Sequence, residues 1–444
     1  MRAASLIRGV AGVEKASVVD VWFEESAGVG HGVIAVIAVR AWKRERSRCG
    51  VCRRRCPGYD AGAGRRRWRT LDLGMTRTFI EADAPRVQCL DHGVVVAAVP
   101  WAGHDAGHTR VFDQQVAWLA VHASKSAVTA LMRIAWRSVG AIVTRVVAVN
   151  DRARAEAGVD RLDGLRRIGI DEISYRRGHQ YVLVVVDHDT GRLVWAADGK
   201  SMETVHAFFD QLGADRAALI SHVSADAADY IAKVVTERCP QAIRCADPFH
   251  IVQWANDAIT RTRVDAWNQA RALVRTEAAP VAGWARRSQQ LPARERVAAL
   301  RGSRFALWKN PENLTERQRA RLAWISAHAP DLWRGYQLKE GLRLIFRLPA
   351  AEAAEALDAW LDWAQRSRLP AFVDLAAKIR RQHEPILAAI TYNMSNALVE
   401  SVNTKIRLLT RVAFGFHSAH ALIAIAMLSL GADRPSLPGR QPHR

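Results

Sequence analysis

The chain has 444 residues, 49% of them apolar, and carries 64 Lys and Arg against 44 Asp and Glu, a net charge of +20. That length exceeds one ordinary core, so several domains are expected, and so large a cationic surplus on a folded chain points to a polyanionic partner, nucleic acid first. The longest charge-free apolar run near the C-terminus, residues 419–432, is too short to span a bilayer, and the N-terminus lacks an apolar signal core. No membrane association is therefore expected. The chain reads as a soluble cytoplasmic protein whose six cysteines are thiols or metal ligands, not disulfides.

Residues 16–24 and 32–40 are rich in β-branched residues and flank Gly28 and Gly30, the pattern of a hairpin. A basic block follows. Between Lys43 and Arg77 twelve Lys and Arg face three acids, Glu45, Asp60 and Asp72. Within and just beyond it lie Cys49-Gly-Val-Cys52 and Cys89-Leu-Asp-His92. Two close ligand pairs separated by a loop have the spacing of a structural zinc site, each pair wrapping one side of a tetrahedron. Cys56 is an alternative ligand. Residues 111–147 carry apolar stripes at helical spacing, with polar starts at Ser124 or Ser126 and again near Ser138. Two short helices with a tight break fit a helix-turn-helix, with Arg133, Arg137 and Arg145 facing DNA. Arg65, Arg66 and Arg67 in the basic block are expected to face DNA as well.

At about residue 165 the pattern changes. Strands are predicted at 167–173, 180–186 and 192–197, then a helix capped by Ser201 and closed by Gly213. A strand at 218–224 ending near Asp226, a helix at 227–238 and a strand at 242–245 ending near Asp247 complete a β-β-β-α-β-α-β order. From 255 to about 385 the chain reads as helical, with Trp254, Trp267, Trp284, Trp308, Trp324, Trp333, Trp360 and Trp363 mostly in its core. The last helices present Val399, Val402, Ile406 and Leu409 inward and Glu400, Asn403 and Arg407 on a neighbouring face.

Phosphodiester chemistry is commonly run by two hard cations, which need carboxylate oxygens from separate points of the chain. Asp171 lies inside a β-branched strand, where a charge is costly unless compensated. Asp226 ends the fourth strand, and Glu400 projects from a late helix. Asp247 in "ADPFHIVQW" is a rival for the second acid.

The blocks "IGIDE", "RRGHQYVLVVVDHDTGR", "VSADAADY", "ADPFHIVQWANDA" and "SNALVESVNTKIRLLTRVAFGF" together resemble the IS-L-three family of bacterial insertion-sequence transposases, from about residue 10 to 430. The resemblance implies a multidomain α+β chain: zinc-binding and helix-turn-helix modules, then a ribonuclease-H-like catalytic domain interrupted by an all-helical insertion. The expected divisions are a β-hairpin region at 1–48, the zinc module at 49–95, the helix-turn-helix at 96–160 and the first part of the catalytic core at 161–254. The helical insertion then runs over 255–388, the final core helices over 389–430 and a disordered tail over 431–444. The resemblance implies Asp171 as first acid and Glu400 as last, and leaves the second between Asp226, which the strand order favours, and Asp247. Two Mg²⁺ (or Mn²⁺) ions on Asp171, Asp226 and Glu400, a structural Zn²⁺ on Cys49, Cys52, Cys89 and His92, and a homodimer or larger assembly on DNA are expected. Asn403 and Arg407 would steady the scissile phosphate, with His250 near the acids. One departure is that Cys89 pairs with His92, where the family often has further cysteines. Two rivals remain at this level: a non-catalytic zinc and helix-turn-helix regulator, which needs no acids at 171, 226 and 400, and a ribonuclease-H-like nuclease, which needs no such N-terminal modules.

Overall fold

The computed structural model describes residues 7–9, 11–25, 32–226, 228–277 and 293–440, so the turn expected around Gly28 and Gly30, and Trp284, lie outside the described residues. The chain divides into two compact units, Met1–Asp160 with Ile406–Arg444, and Arg161–Lys405.

In the first unit, β1 (Ala16–Glu25) and β2 (Val33–Ala41) pair antiparallel as the β-branched runs predict. Beyond the short β3 (Gly58–Asp60), β4 (Arg65–Leu73) and β5 (Thr76–Asp83) join them in a four-stranded sheet of order β1-β2-β5-β4, with β2 parallel to β5. β6 (Arg86–Cys89) and β7 (Gly93–Val96) form a second small sheet with β3. The arginine-rich sequence between the two Cys pairs is thus built into the N-terminal sheet: Trp68 and Ile80 are buried beside Ile37, Val39 and Trp101. Three helices follow: α1 (Arg110–His122), capped by the Thr109 hydroxyl, α2 (Lys125–Met132), capped by Ser124, and α3 (Trp136–Glu156). Arg133 takes a left-handed φ of 51° at the break, and α2 and α3 cross at 98°, in the range of a helix-turn-helix. The apolar helix Ala419–Leu430 packs on α1 and α3, and Asp433 beyond it pairs with Arg154. Among the described residues no single helix is long and apolar enough to cross a membrane.

The second unit is built on β8 (Arg167–Arg176), β9 (Gln180–Asp187), β10 (Arg192–Asp198), β11 (His222–Ala225) and β12 (Ile243–Ala246), ordered β10-β9-β8-β11-β12. β8, β9 and β10 form the antiparallel meander; β11 runs parallel to both β8 and β12. β11 is shorter than the apolar run 218–224 suggests, because Ala214–Ala217 coils as a helical turn and holds Ala218 by a bond to Ala214 O. The helices α4 (Met202–Leu212) and α6 (Asp229–Arg238), separated by that turn (α5), lay Phe208, Phe209, Ile231 and Val234 on one face against Ile168, Ile170 and Val185. From α7 (Pro248–Glu277) the chain is helical: α8 (Ala293–Arg301), α9 (Arg304–Trp308), α10 (Glu316–His328), α11 (Pro330–Ile345), α12 (Ala350–Arg366), α13 (Pro370–Arg381) and α14 (His383–Thr391). They share one core in which Trp360 is buried and Trp254, Trp267, Trp308, Trp324 and Trp333 are partly so; Trp363 is exposed. The first turns of α15 (Ala397–Val412) return to the sheet. Gly169 on β8 admits them: a Cβ there would collide with Val399 and come within 2.8 Å of His188 Nε2.

Candidate active site and metal centre

Cys49 and Cys52 sit on a turn that Arg53 closes with φ 62°, its N–H donating to Cys49 O at 3.0 Å. Cys89 ends β6 and His92 lies in the turn before β7. The four ligand atoms all lie within 4.8 Å of one another. Cys52 Sγ is 3.7 Å from Cys89 Sγ, and His92 Nδ1 is 3.5 Å from Cys89 Sγ and 3.8 Å from Cys49 Sγ. A tetrahedron with metal–sulfur arms of about 2.3 Å has edges of about 3.8 Å, so the residues fit zinc. The hydrogen bond from His92 leads in drawing the Cys89 thiol down to about 6, into the range where thiolate forms. Cys56 stands outside the four: its thiol donates to Arg54 O at 3.4 Å, and burial pushes its pKa up.

Most of the basic residues expected to face DNA have partners within the fold, though Arg65, Arg67, Arg133 and Arg137 are exposed. Arg65 and Arg67 pair with the buried Glu81 at 3.0 and 2.7 Å, and Arg67 also with Glu24. Arg66 lies over the Trp68 ring and donates to Ala106 O at 2.9 Å. Arg133 binds Met75 O and Asp72. Arg145 clasps the buried Asp113 with two bonds of 2.7 and 3.0 Å. Arg137, on the first turn of α3, is exposed.

In the second unit the register brings three aspartates abreast. Ala225 of β11 pairs with Ile170 of β8 on one side and Ala246 of β12 on the other. The residues that follow these three are Asp226, Asp171 and Asp247. Neighbouring strands lie about 4.8 Å apart, so Asp226 is one strand from Asp171 and Asp247 is two, roughly 10 Å. The carboxyl ends of parallel strands are where open α/β sheets bind ligands.

Each aspartate is held differently. Asp171 Oδ1 accepts the Glu172 N–H and Oδ2 accepts Asn403 Nδ2, both at 2.8 Å; Asn403 comes from α15, 232 residues away. Burial pushes the Asp171 carboxyl up to about 6; the negative charge of Asp226 adds to this, and the Glu172 N–H and His250 partly offset it. Asp226 is half-buried and accepts the Ala228 N–H at 3.1 Å. Asp247 is 2% exposed, with Oδ1 capping α7 at the Phe249 N–H and Oδ2 2.7 Å from His250 Nδ1. That bond, with Asp226 and Asp171 nearby, raises the His250 pKa against its burial. Glu400 is half-buried, between Val399, which packs at Gly169, and Asn403. Among the described residues only the Cys–His group gathers three or more such ligands within 4.8 Å; Asp171, Asp226 and Glu400 share the region but do not meet that closely. Arg407, on α15 beyond the second unit's last residue, is exposed.

Two polar constellations escape the sequence reading. Behind Asp171, Ser224 Oγ donates to Asn396 Oδ1 at 2.6 Å, His188 Nε2 lies 2.8 Å from the same hydroxyl, and Asn396 Nδ2 reaches Ile170 O at 3.5 Å. Ser224 and Asn396 are fully buried. Asn396 is visible in the sequence only as a residue that starts a helix. The second constellation joins Glu172, Tyr230 and Lys200: the Tyr230 hydroxyl donates to Glu172 Oε1 and the Lys200 ammonium pairs with Oε2. Its one sequence signal is that Glu172 adjoins Asp171 in a strand and therefore points to the other face.

Comparison with known proteins agrees in chain order with this layout. Residues 45–92 match a family described as the zinc-finger of transposase IS204/IS1001/IS1096/IS1165, and residues 97–147 the helix-turn-helix domain of transposase family ISL3. Residues 168–426 match the family of that series described as Transposase. The transposase for insertion sequence element IS1557 of Mycobacterium tuberculosis is 56% identical over 447 residues, covering 100% of this chain and 99% of that protein. The transposase for IS1001 of Bordetella parapertussis is 28% identical over 373 residues, 83% of this chain and 85% of its own.

Proposed function

This chain belongs to the ISL3 family of transposases, and from that premise we propose that it binds the terminal inverted repeats of its own element, cleaves the element ends and joins the freed 3′-hydroxyls to target DNA. The observation that carries this reading is Asp171: an acid inside a strand, raised to about 6 by burial and Asp226, and fixed by a side chain from α15. A strand order of β10-β9-β8-β11-β12 with only the β8–β10 meander antiparallel supports a ribonuclease-H-like catalytic domain, with α7 to α14 as its helical insertion. The domain divisions expected from the sequence are retained as part of the proposal.

Asp171, Asp226 and Glu400 are the acids we assign to the reaction. Hard carboxylate oxygens suit a hard divalent cation, and the burial and neighbouring Asp226 charge that lift Asp171 are offset by one. Two Mg²⁺ ions (or Mn²⁺), when bound, would supply Lewis-acid activation and charge neutralisation at the phosphate. Asp226 is preferred over Asp247 because it stands one strand from Asp171 instead of two, and because both oxygens of Asp247 are committed to α7 and His250. Asp247 and His250 then brace the start of α7 beside the acids. Asn403 holds Asp171 in its rotamer, and Arg407 serves the DNA backbone. Zn²⁺ on Cys49, Cys52, Cys89 and His92 stabilises the N-terminal module, which with the helix-turn-helix recognises DNA ends. Of the arginines considered above, Arg137 is the freest to do so. The protein acts as a homodimer or larger assembly on DNA, in the bacterial cytoplasm at the nucleoid.

Asp171→Asn, Asp226→Asn and Glu400→Gln are each expected to lower Mg²⁺-dependent strand transfer roughly a thousandfold, equivalent to about 4 kcal/mol of barrier, with end binding retained. Full activity in any one removes that residue from the set. Asp247→Asn retains measurable transfer on this assignment; complete loss in a folded variant makes Asp247 the second acid.

A further inference from the structure

Three carboxylates at the end of a sheet repel the phosphodiester they are proposed to process. The structure supplies a cation beside them that the sequence does not announce. Lys200 sits in the turn between β10 and α4. Its side chain is 43% exposed, its ammonium pairs with Glu172, and Nζ lies 4.9 Å from the centre of the Tyr181 ring. Glu172 directly follows Asp171 in β8, and its partner Tyr230 stands four residues beyond Asp226 in the first turn of α6, so the group borders the acid row from the other face of the sheet; the Asp226 charge acts on the same ammonium.

The turn is built to hold this lysine. Gly199 has φ +120°, and a Cβ there would meet Thr204 Oγ1 at 2.6 Å. The Gly199 N–H donates to Tyr181 O at 2.8 Å, and Ser201 caps α4 by accepting the Thr204 N–H. The backbone on both sides of Lys200 is therefore fixed. Glu172 is fixed in turn: its side chain is 6% exposed, with one oxygen on Tyr230 and the other on Lys200. An ion pair with so exposed a lysine adds little to folding, too little to account for this many restraints. Its open ammonium, by contrast, has the chemistry of a phosphate contact. His250, whose charge acts on Asp171, is tied to the buried Asp247.

We propose that Lys200 binds a DNA backbone phosphate at the edge of the acid row, with Glu172 and Tyr230 positioning it. This rests on the reading of Asp171 and Asp226 as the phosphodiester site. Lys200 contacts substrate; Glu172 acts through Lys200, and Tyr230 through Glu172.

The test uses the full-length protein and a labelled duplex carrying the element's terminal repeat. Affinity is measured across salt concentrations for wild type, Lys200→Met, Lys200→Arg and Glu172→Gln, with thermal unfolding to verify folding. One lost phosphate contact lowers the slope of log affinity against log salt by about 0.9, so a fourfold rise in salt weakens Lys200→Met roughly threefold less than wild type. Lys200→Arg keeps the wild-type slope. Glu172→Gln keeps the slope but raises KM for strand transfer. A wild-type slope in folded Lys200→Met overturns the proposal, as does equal loss of binding in the Met and Arg variants, which marks a structural role. Asp171→Asn separates the two readings. If it transfers DNA as wild type does, the acid site is misassigned whatever Lys200 does. If it binds without transferring while Lys200→Met keeps the wild-type slope, only the lysine contact fails.

Discussion

The ligand cluster of the N-terminal unit and the acid row of the second treat charge in opposite ways. In the N-terminal unit the buried or half-buried charges are compensated in place: Glu81 lies between Arg65 and Arg67, Asp113 is clasped by Arg145, and three thiols converge with one imidazole. Thiols and imidazole hydrogen-bond one another, and His92 eases the ionisation of Cys89, so the fold gathers four metal ligands at little electrostatic cost. In the second unit three aspartates stand abreast on adjacent strands, and the one inside the sheet is forced towards neutrality. Carboxylates cannot be gathered the same way, because each raises the cost of ionising its neighbour. Here the chain anchors each acid separately, Asp171 on Asn403, Asp226 on the Ala228 N–H and Asp247 on His250. The Cys–His group is thus preassembled, whereas the acid row proposed for the reaction is held with its charge unbalanced.

Three measurements strain this contrast, beginning with the most severe. Chelation of zinc, or Cys52→Ser, is expected to unfold the zinc module and abolish specific end binding, because metal binding to such sites is folding free energy. Elemental analysis should find about one zinc per chain. A folded, end-binding protein without zinc would remove the cluster from the compensated class. Asn403→Ala comes next. It deletes the anchor of Asp171 and is expected to lower strand transfer about 10–100-fold, in line with lost support of a ligand. Melting temperature should change little by comparison; a large drop with unchanged transfer would make Asn403 a packing residue.

The smallest effect concerns His108 in the N-terminal unit. Its ring stacks on Phe112 at 5.0 Å, its Nδ1 is buried without a hydrogen-bond partner, and burial lowers its pKa below 6.5. With a depressed folded pKa, the unfolded chain takes up a proton first as pH falls. Stability is therefore full above about 6.5 and declines below it, towards the folded value. His108→Gln should flatten that acid-side decline in pH-dependent melting curves, and an unchanged decline would locate it at another group.

Much of the local structure was legible in the chain. Ser201 and Gly213 mark the ends of α4, Ser124 caps α2, and the β-branched runs become β8, β9 and β10 within a few residues. These are short-range effects of capping and side-chain alternation, and the sequence carries them directly. The zinc ligands were legible for a related reason: Cys-x-x-Cys and Cys-x-x-His place each pair on one turn. Less visible was the fate of the arginines. A run of basic residues reads as a solvated DNA face, yet Arg65 and Arg67 are bound to a glutamate on the next strand.

What the sequence determined alone was therefore the β1–β2 pair, the elements of the five-stranded sheet, the ligand pairs and Asp171 as a costly charge in an apolar strand. Tertiary structure decided the rest. The parallel pairing of β2 with β5 builds the basic block into the N-terminal sheet, and the register of β8, β11 and β12 sets the three aspartates in a row. Contacts across 232 residues, from Asn403 to Asp171, select which acid is fixed and how. The physical reason is common to all of these. Periodicity and capping act over a few residues, whereas strand register, burial and the field at a carboxylate are set by groups far apart in the chain.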